Sequence, residues 1–218
     1  MPAESREILF GDDWESDPLS YSLYADIVAG RLEAGVLEPV LRGIGVDARL
    51  IDEVHRRAAA VARADVVARI FINLERRTPP AMFRSFGARL VPTFNYFQTA
   101  VCLFEMGQLT LPAVTEVATS LADEAGYTPQ RLAVSLADIV RRGHLRPAAA
   151  AAVRVGLQPE GLLPRHQRAR RRTLWEQLTS WLFPQRLAEQ IDVVPPSTAI
   201  DYEELVAHWR AGRKERRA

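Results

Sequence analysis

The chain has 218 residues, of which 48% are hydrophobic and 25% charged, with a net charge of +1. These values are ordinary for a soluble globular protein and argue against disorder throughout. The single cysteine excludes an internal disulfide, and no apolar stretch reaches the roughly 18 residues of a membrane span. The acidic N-terminus lacks the apolar core of a signal peptide. We therefore expect a cytoplasmic protein without membrane contact.

The N-terminal segment 1–18 predicts an acidic arm, because six carboxylates there accompany a single arginine. We expect this arm to be extended or partly disordered. The segment 19–91 is expected to form a helical N-terminal region, with helices near 20–34 and 37–42.

A long helix is expected to follow within this region. Asp47 is a suitable N-cap, and apolar residues recur at helical spacing from Leu50 to Leu74. The helix would end near Arg76, where the run RRTPP breaks the pattern. This break is the best candidate for a boundary between two halves of the chain.

The segment 92–184 predicts the second half, which begins with an aromatic-rich helix over about 94–107. Its aromatic residues, Phe94, Phe97 and Phe104, could line a ligand pocket, although core packing is the more common role. Cys102 lies in the same helix. We expect it to be a small buried hydrophobe, with a redox-sensing role as the less favoured alternative.

The next segment predicts two helices joined by a tight turn. Thr110 is a suitable N-cap for the first helix, and Gly126 is a suitable left-handed residue at its end. Thr128 can cap the second helix, over about 128–142, with Pro129 at its first position. Such a pair is typical of a DNA-binding helix-turn-helix, whose second helix enters the major groove.

The charge pattern favours DNA as the ligand. From Tyr127 to Arg172, ten arginines accompany two acids, so this segment carries +8 and the rest of the chain −7. Arginine and glutamine side chains pair with guanine and adenine edges. The candidate DNA contacts are Thr128, Gln130, Arg131, Val134, Ser135, Arg141, Arg142, Arg146, Arg154, Arg165 and Arg168.

The segment 145–157 predicts a short β-hairpin that would form a wing. Leu145 and Arg146 begin one arm, and the alternating run from Val153 to Leu157 forms the other. The tip is Pro147 followed by an alanine run. The predicted fold is therefore mostly α, a winged helix-turn-helix with an additional N-terminal helical region.

From Gln108 to Arg168 the chain resembles the winged helix-turn-helix of MarR-like transcriptional regulators. The resembling motifs are GQLT before the first helix, LADIVRRGHLRP at the end of the second and VRVGLQPEG at the end of the wing. The resemblance implies a homodimer on double-stranded DNA, with helices near 94–107 and 162–183 as dimer elements. It also implies response to a small-molecule effector.

The segment 185–218 predicts a C-terminal helix that begins at Asp201 and a basic tail. No phosphate-binding loop, metal-ligand spacing or catalytic arrangement stands out, so we expect no cofactor, no metal and no enzymatic activity. The predicted function is a sequence-specific DNA-binding transcriptional regulator. The alternative is a winged-helix protein–protein interaction module without DNA binding, and a small helical enzyme is the least favoured possibility.

Overall fold

In a computed structural model of the chain, the described residues are 6–14, 16–32, 34–164 and 200–207. The chain divides into two compact units, residues 1–92 together with 194–218, and residues 93–193. The structure is mostly helical, which confirms the coarse fold class predicted from the sequence.

The first unit is built on a small sheet of parallel strands in the order β1-β2-β3. Its strands are β1 (Glu7–Asp12), β2 (Val67–Asn73) and β3 (Leu90–Thr93). Between β1 and β2 lie the helices α1 (Asp17–Val28), α2 (Ala34–Gly43) and α3 (Ala48–Ala60). A 3₁₀ turn, Pro80–Phe86, connects β2 to β3.

Within the predicted acidic arm, which was expected to be extended or partly disordered, the stretch 7–12 is extended and forms β1. This strand pairs with β2 in parallel, with Ile8 opposite Arg69 and Phe10 opposite Phe71. The partner strand comes only after α1, α2 and α3 have intervened. The charge count over residues 1–18 therefore could not predict that β1 pairs with β2.

The prediction of a helix from Asp47 to Arg76 is wrong in its second half. Asp47 does cap α3, where its Oδ1 accepts the Arg49 N–H at 2.9 Å. The helix ends at Ala60, however, and β2 follows. Ile70 and Phe71 are both almost fully buried although they face opposite sides of the strand. A central parallel strand buried on both faces is a continuous apolar run, which periodicity alone does not distinguish from a helix.

Helix α1 packs its apolar residues against the sheet. Ala25 and Val28 share one core cluster with Ile70 and Ile72 of β2 and with Leu90 of β3. Burial of this apolar surface is the main term that stabilises the unit.

The C-terminal residues of the described chain belong to this first unit. Residues 202–207 are helical, and Asp201 Oδ1 accepts the Glu204 N–H at 3.0 Å, the capping role predicted for Asp201. Leu205 and Val206 pack against Leu19 of α1. The chain therefore returns to the unit in which it began.

A buried carboxylate anchors this returning segment. The Tyr202 hydroxyl donates to Asp26 Oδ2 at 2.6 Å, and Arg89 Nη1 lies 3.3 Å from Asp26 Oδ1. Arg31 also pairs with Asp26, and Asp65 pairs with both arginines, so the four charges alternate in a closed ring. Burial and the neighbouring Asp26 raise the pKa of Tyr202, which keeps its hydroxyl protonated as a donor.

The described part of the second unit contains four helices. They are α4 (Tyr96–Glu105), α5 (Leu111–Ala125), α6 (Pro129–Arg141) and α7 (Pro147–Leu157). The predicted pair of helices joined by a tight turn is confirmed in α5 and α6. Thr110 and Thr128 cap the two helices through their hydroxyls, and Gly126 ends α5 with a φ of +64°.

The prediction of a β-hairpin wing over 145–157 is wrong, since α7 occupies this segment. Pro147 stands at the start of the helix, and alanine has the highest helix propensity of any residue. Ala150, Val153 and Leu157 are buried at helical spacing, whereas Val155 is 73% exposed. A Cβ on Gly156 would lie 2.4 Å from Leu111 Cδ2, so glycine lets α7 approach the start of α5 closely.

Residues 161–164 are not helical. The rest of the predicted helix 162–183, and the predicted tail beyond residue 207, lie outside the described residues. The same holds for two of the candidate DNA contacts, Arg165 and Arg168.

Removing the hydroxyl of Tyr202 is expected to destabilise the first unit. Tyr202→Phe deletes a charge-assisted hydrogen bond to a buried carboxylate, so we expect a loss of about 1–3 kcal/mol in the free energy of unfolding. Urea denaturation followed by circular dichroism measures this free energy of unfolding. Tyr24→Phe is the matched control, because the Tyr24 hydroxyl donates to Glu7 at an exposed site. Equal effects of the two variants would contradict the anchoring role of Tyr202.

A proline in α7 tests the helix against the hairpin. Ala151 is exposed in the helix interior, so Ala151→Pro is expected to cost about 3 kcal/mol through the lost hydrogen bond and ring clash. Ala151→Gln serves as the control and should be nearly neutral. Thermal unfolding of both variants gives the comparison, and full tolerance of the proline would favour a hairpin tip.

Candidate nucleic-acid interface

One side of α6 is buried and the other faces solvent. Leu132, Leu136 and Ile139 are fully buried. Among the candidate DNA contacts in the first turns of α6, Gln130 and Arg131 are exposed, and Val134 is 69% exposed. The buried residues therefore fix the direction in which these three side chains point.

The turn before α6 shapes its first residues. Thr128 is exposed, but its hydroxyl is used as the cap and accepts the Arg131 N–H at 3.2 Å. Tyr127 lies in the same turn, and the Arg131 guanidinium carbon lies 3.8 Å from the centroid of its ring. This distance is that of a cation–π stack.

Ser135, which the sequence placed on the solvent side of α6, is buried instead. Its Oγ accepts a hydrogen bond from Asn95 Nδ2 at 2.9 Å, and its carbonyl accepts one from Gln98 Nε2 at 2.9 Å. Both partners belong to the start of α4, which precedes the whole helix-turn-helix. Ser135 thus joins two helices and is not available to a ligand.

Arg142 is also withdrawn from the surface, with 9% of its side chain exposed. Its Nε binds Asp138 Oδ2 at 2.8 Å, and its Nη2 binds Gln98 Oε1 at 3.2 Å. The guanidinium lies 5.4 Å from the ring centroid of Phe94. A DNA contact by Arg142 would break this buried arrangement, so the prediction for Arg142 is corrected to a structural role.

Asp138 is the charged centre of this arrangement. Burial alone would raise its pKa, but the Arg142 charge and the hydrogen bonds from Arg142, Gln98 and Arg141 outweigh burial and lower the pKa. The carboxylate is therefore ionised at neutral pH and matches the buried guanidinium beside it.

The remaining described arginines of the interface lie nearer the surface. Arg141 is 73% exposed and binds Asp138 Oδ1 at 2.6 Å. Arg146 precedes α7, is 78% exposed and binds Glu105 Oε1 at 2.8 Å. Arg154 is partly exposed in the last turn of α7. In both ion pairs the arginine is exposed, whereas the carboxylate is largely buried, with 18% of Asp138 and 12% of Glu105 exposed. If either guanidinium moved to another anion, each carboxylate would keep a second partner, Arg142 for Asp138 and the Arg146 N–H for Glu105.

Sequence reasoning missed three residues of this region, Asn95, Gln98 and Tyr127. A signal existed for the first two. Asn95 caps α4 by accepting the Gln98 N–H at 3.1 Å, and Gln98 Oε1 accepts the Phe94 N–H at 2.8 Å. A cap residue followed three positions later by Gln is the pattern of a capping box. Nothing in the sequence indicated the stack of Arg131 on Tyr127.

A second cluster of polar groups lies at the carboxyl end of β1, in the first unit. Asp13 accepts the backbone N–H groups of Arg76 and Thr78 at 2.9 and 3.1 Å. Burial would raise the pKa of Asp13, and these hydrogen bonds lower it. Asp12 and Asp17 likewise accept backbone N–H groups. In the part of the chain that the structure describes, no group of three or more His, Cys, Asp or Glu side chains could hold a metal ion. The cluster orders the surrounding loops.

No protein-family model, curated protein or solved structure matches this chain. The resemblance to MarR-like regulators therefore stays a prediction. Within the described ranges, no helix is long and apolar enough to cross a membrane.

Neutralising Asp138 tests the coupling of α4 to α6. Asp138→Asn leaves the Arg142 charge poorly matched, and we expect a loss of about 2–3 kcal/mol, less than for a fully buried pair. Glu53→Gln on α3 is the control, because its pairs with Arg56 and Arg57 are exposed, and little change is expected there. Urea denaturation at pH 6 measures both.

The pH dependence of the same variant gives a further check. Folding lowers the pKa of Asp138 from its ordinary value of 3.8. Its contribution is therefore fully present above that value and is lost as the pH falls through the lower folded pKa. The difference between wild type and Asp138→Asn should shrink in strong acid, and a difference that is constant with pH would contradict this coupling.

Proposed function

We propose that the protein binds double-stranded DNA through α6 and acts as a sequence-specific transcriptional regulator. The observation that carries this proposal is the exposed set Gln130, Arg131 and Val134 on the second of two helices joined by a tight turn, which is the element order of a helix-turn-helix. In such motifs the first residues of the second helix meet base edges in the major groove. Gln and Arg suit adenine and guanine, and an apolar side chain suits the thymine methyl group.

Phosphate contacts in this proposal come from helices, since the described residues form no wing. The candidates are two exposed arginines that follow the recognition residues in the sequence, Arg141 at the end of α6 and Arg146 before α7. Each pairs in the free protein with a largely buried carboxylate, and counterion release on DNA would favour exchange of that pair for a phosphate. Arg154 is a weaker candidate because it is only partly exposed.

A homodimer belongs to the proposal, because one recognition helix contacts few base pairs and a second half-site supplies the rest. Helix α4, one of the expected dimer elements, is buried from Phe97 to Cys102, which leaves little of it for a second subunit. Response to a small-molecule effector remains a proposal from the MarR-like resemblance. A regulator of this kind would act in the cytoplasm.

Single substitutions on α6 provide the direct test. Gln130→Ala and Arg131→Ala are each expected to weaken binding to a selected site by about 1–3 kcal/mol, since each removes a base-edge contact. Fluorescence anisotropy with a labelled duplex measures the affinity. Arg56→Ala on α3 removes one positive charge in the other unit and should leave binding almost unchanged. Full retention of specific binding in both α6 variants would contradict docking through this helix.

The salt dependence of binding separates this proposal from its alternative. DNA binding through arginines should weaken steeply between about 50 and 200 mM salt. The alternative is a protein-interaction module, which the exposure of Val134 and of Val155 favours. It predicts no duplex binding even at low salt, together with association that resists salt.

A further inference from the structure

Arg131 differs from the other described arginines of α6 and its flanks. Arg141 and Arg142 bind Asp138, and Arg146 binds Glu105. No carboxylate among the described residues pairs with Arg131, whose guanidinium instead lies over the Tyr127 ring. A ligand therefore need not displace an ion-pair partner to reach it.

The Arg131 guanidinium lies over the Tyr127 ring, with its carbon 3.8 Å from the ring centroid. A planar guanidinium that lies on a ring uses its π face, while its N–H groups point outward in the plane. That in-plane fork matches two acceptors side by side, as on the O6 and N7 edge of guanine.

Both partners of the stack are held by the turn. The Tyr127 N–H donates to the Leu121 carbonyl at 3.0 Å, and the Arg131 N–H donates to Thr128 at 3.2 Å. The backbone of each residue is thus fixed, and the stack restricts the long arginine side chain in addition. Less conformational entropy is then lost when the side chain binds, which favours a selective contact.

We propose that Arg131 recognises one guanine in the bound duplex through two parallel hydrogen bonds, and that Tyr127 is the positioning residue that holds the guanidinium plane. This inference rests on the proposed function, since it assigns the base that α6 reads. A contact to a backbone phosphate would use the same fork but would carry no sequence preference. Sequence preference is therefore the readout that distinguishes the two.

The experiment is selection of bound duplexes from a pool with a random central region, using the full chain. The wild type should enrich a motif with one required guanine. Arg131→Lys keeps the charge but loses the fork, so the preference at that single position should fall by about 5- to 150-fold. The dependence of binding on salt should stay the same, because the charge is unchanged.

A pair of substitutions at Tyr127 tests its positioning role. Tyr127→Phe keeps the aromatic face and should retain the guanine preference. Tyr127→Leu removes the face, and the preference at the same position should fall by about two- to fivefold. Affinity for random duplex and its salt dependence should not move in either variant, whereas general damage to the helix would lower both. Circular dichroism of each variant confirms that the helices are intact.

The outcomes separate the inference from the proposed function. Salt-dependent binding of the random pool without a required guanine, or with the same guanine in Arg131→Lys, would overturn the assignment of Arg131 while DNA binding stands. An unchanged preference in Tyr127→Leu would overturn the positioning role alone. Absence of duplex binding at low salt would overturn the proposed function and this inference together.

Discussion

The orientation of α6 depends on one buried amide. Gln98 is wholly buried, and a buried side-chain amide must satisfy two donors and two acceptor sites. It does so completely: Nε2 donates to the Ser135 carbonyl and to Asp138, and Oε1 accepts from the Phe94 N–H and from Arg142. All of these partners must be in place at once. A rotation of α6 about its axis would move the Ser135 carbonyl and Asp138 away from Gln98 Nε2.

This constraint links the two kinds of residue found on α6. Ser135 and Arg142, which the sequence assigned to DNA, are the residues that lock the helix against α4. The side chains left in solvent, Gln130, Arg131 and Val134, point outward because the locked side is fixed. An apolar contact between the helices would bury surface equally well, but it would tolerate small rotations. A fully satisfied polar network does not, since any shift leaves a buried group unpaired.

Local signals in the sequence predicted α5, α6 and the turn between them, because the determinants of these elements are local. The caps Thr110 and Thr128 and the left-handed Gly126 each act within a few positions of themselves. The strands could not be predicted in this way, since the partner of β1 follows only after three helices. The prediction of a β-hairpin wing over 145–157 was wrong for another reason. The apolar residues from Val153 to Leu157 fit both the two-residue period of a strand and the period of a helix. The alanine run before them favours a helix, because alanine has a high helix propensity. Burial of Ser135 and Arg142 depends on α4, which lies two helices earlier in the chain, and has no local signal.

Because α7 occupies the segment predicted as a wing, the arginines that can act together on DNA differ from those expected. Asp138 binds Arg141 through Oδ1 and Arg142 through Oδ2. If Arg141 turned to a phosphate, Asp138 would keep its buried partner and the link to α4 would survive. If Arg142 turned outward, a buried carboxylate and the Gln98 amide would both lose a partner, at a cost of several kcal/mol. The two adjacent arginines therefore have separate tasks. Arg141 can bind a ligand without loss of the contact between α4 and α6, whereas Arg142 is required for that contact.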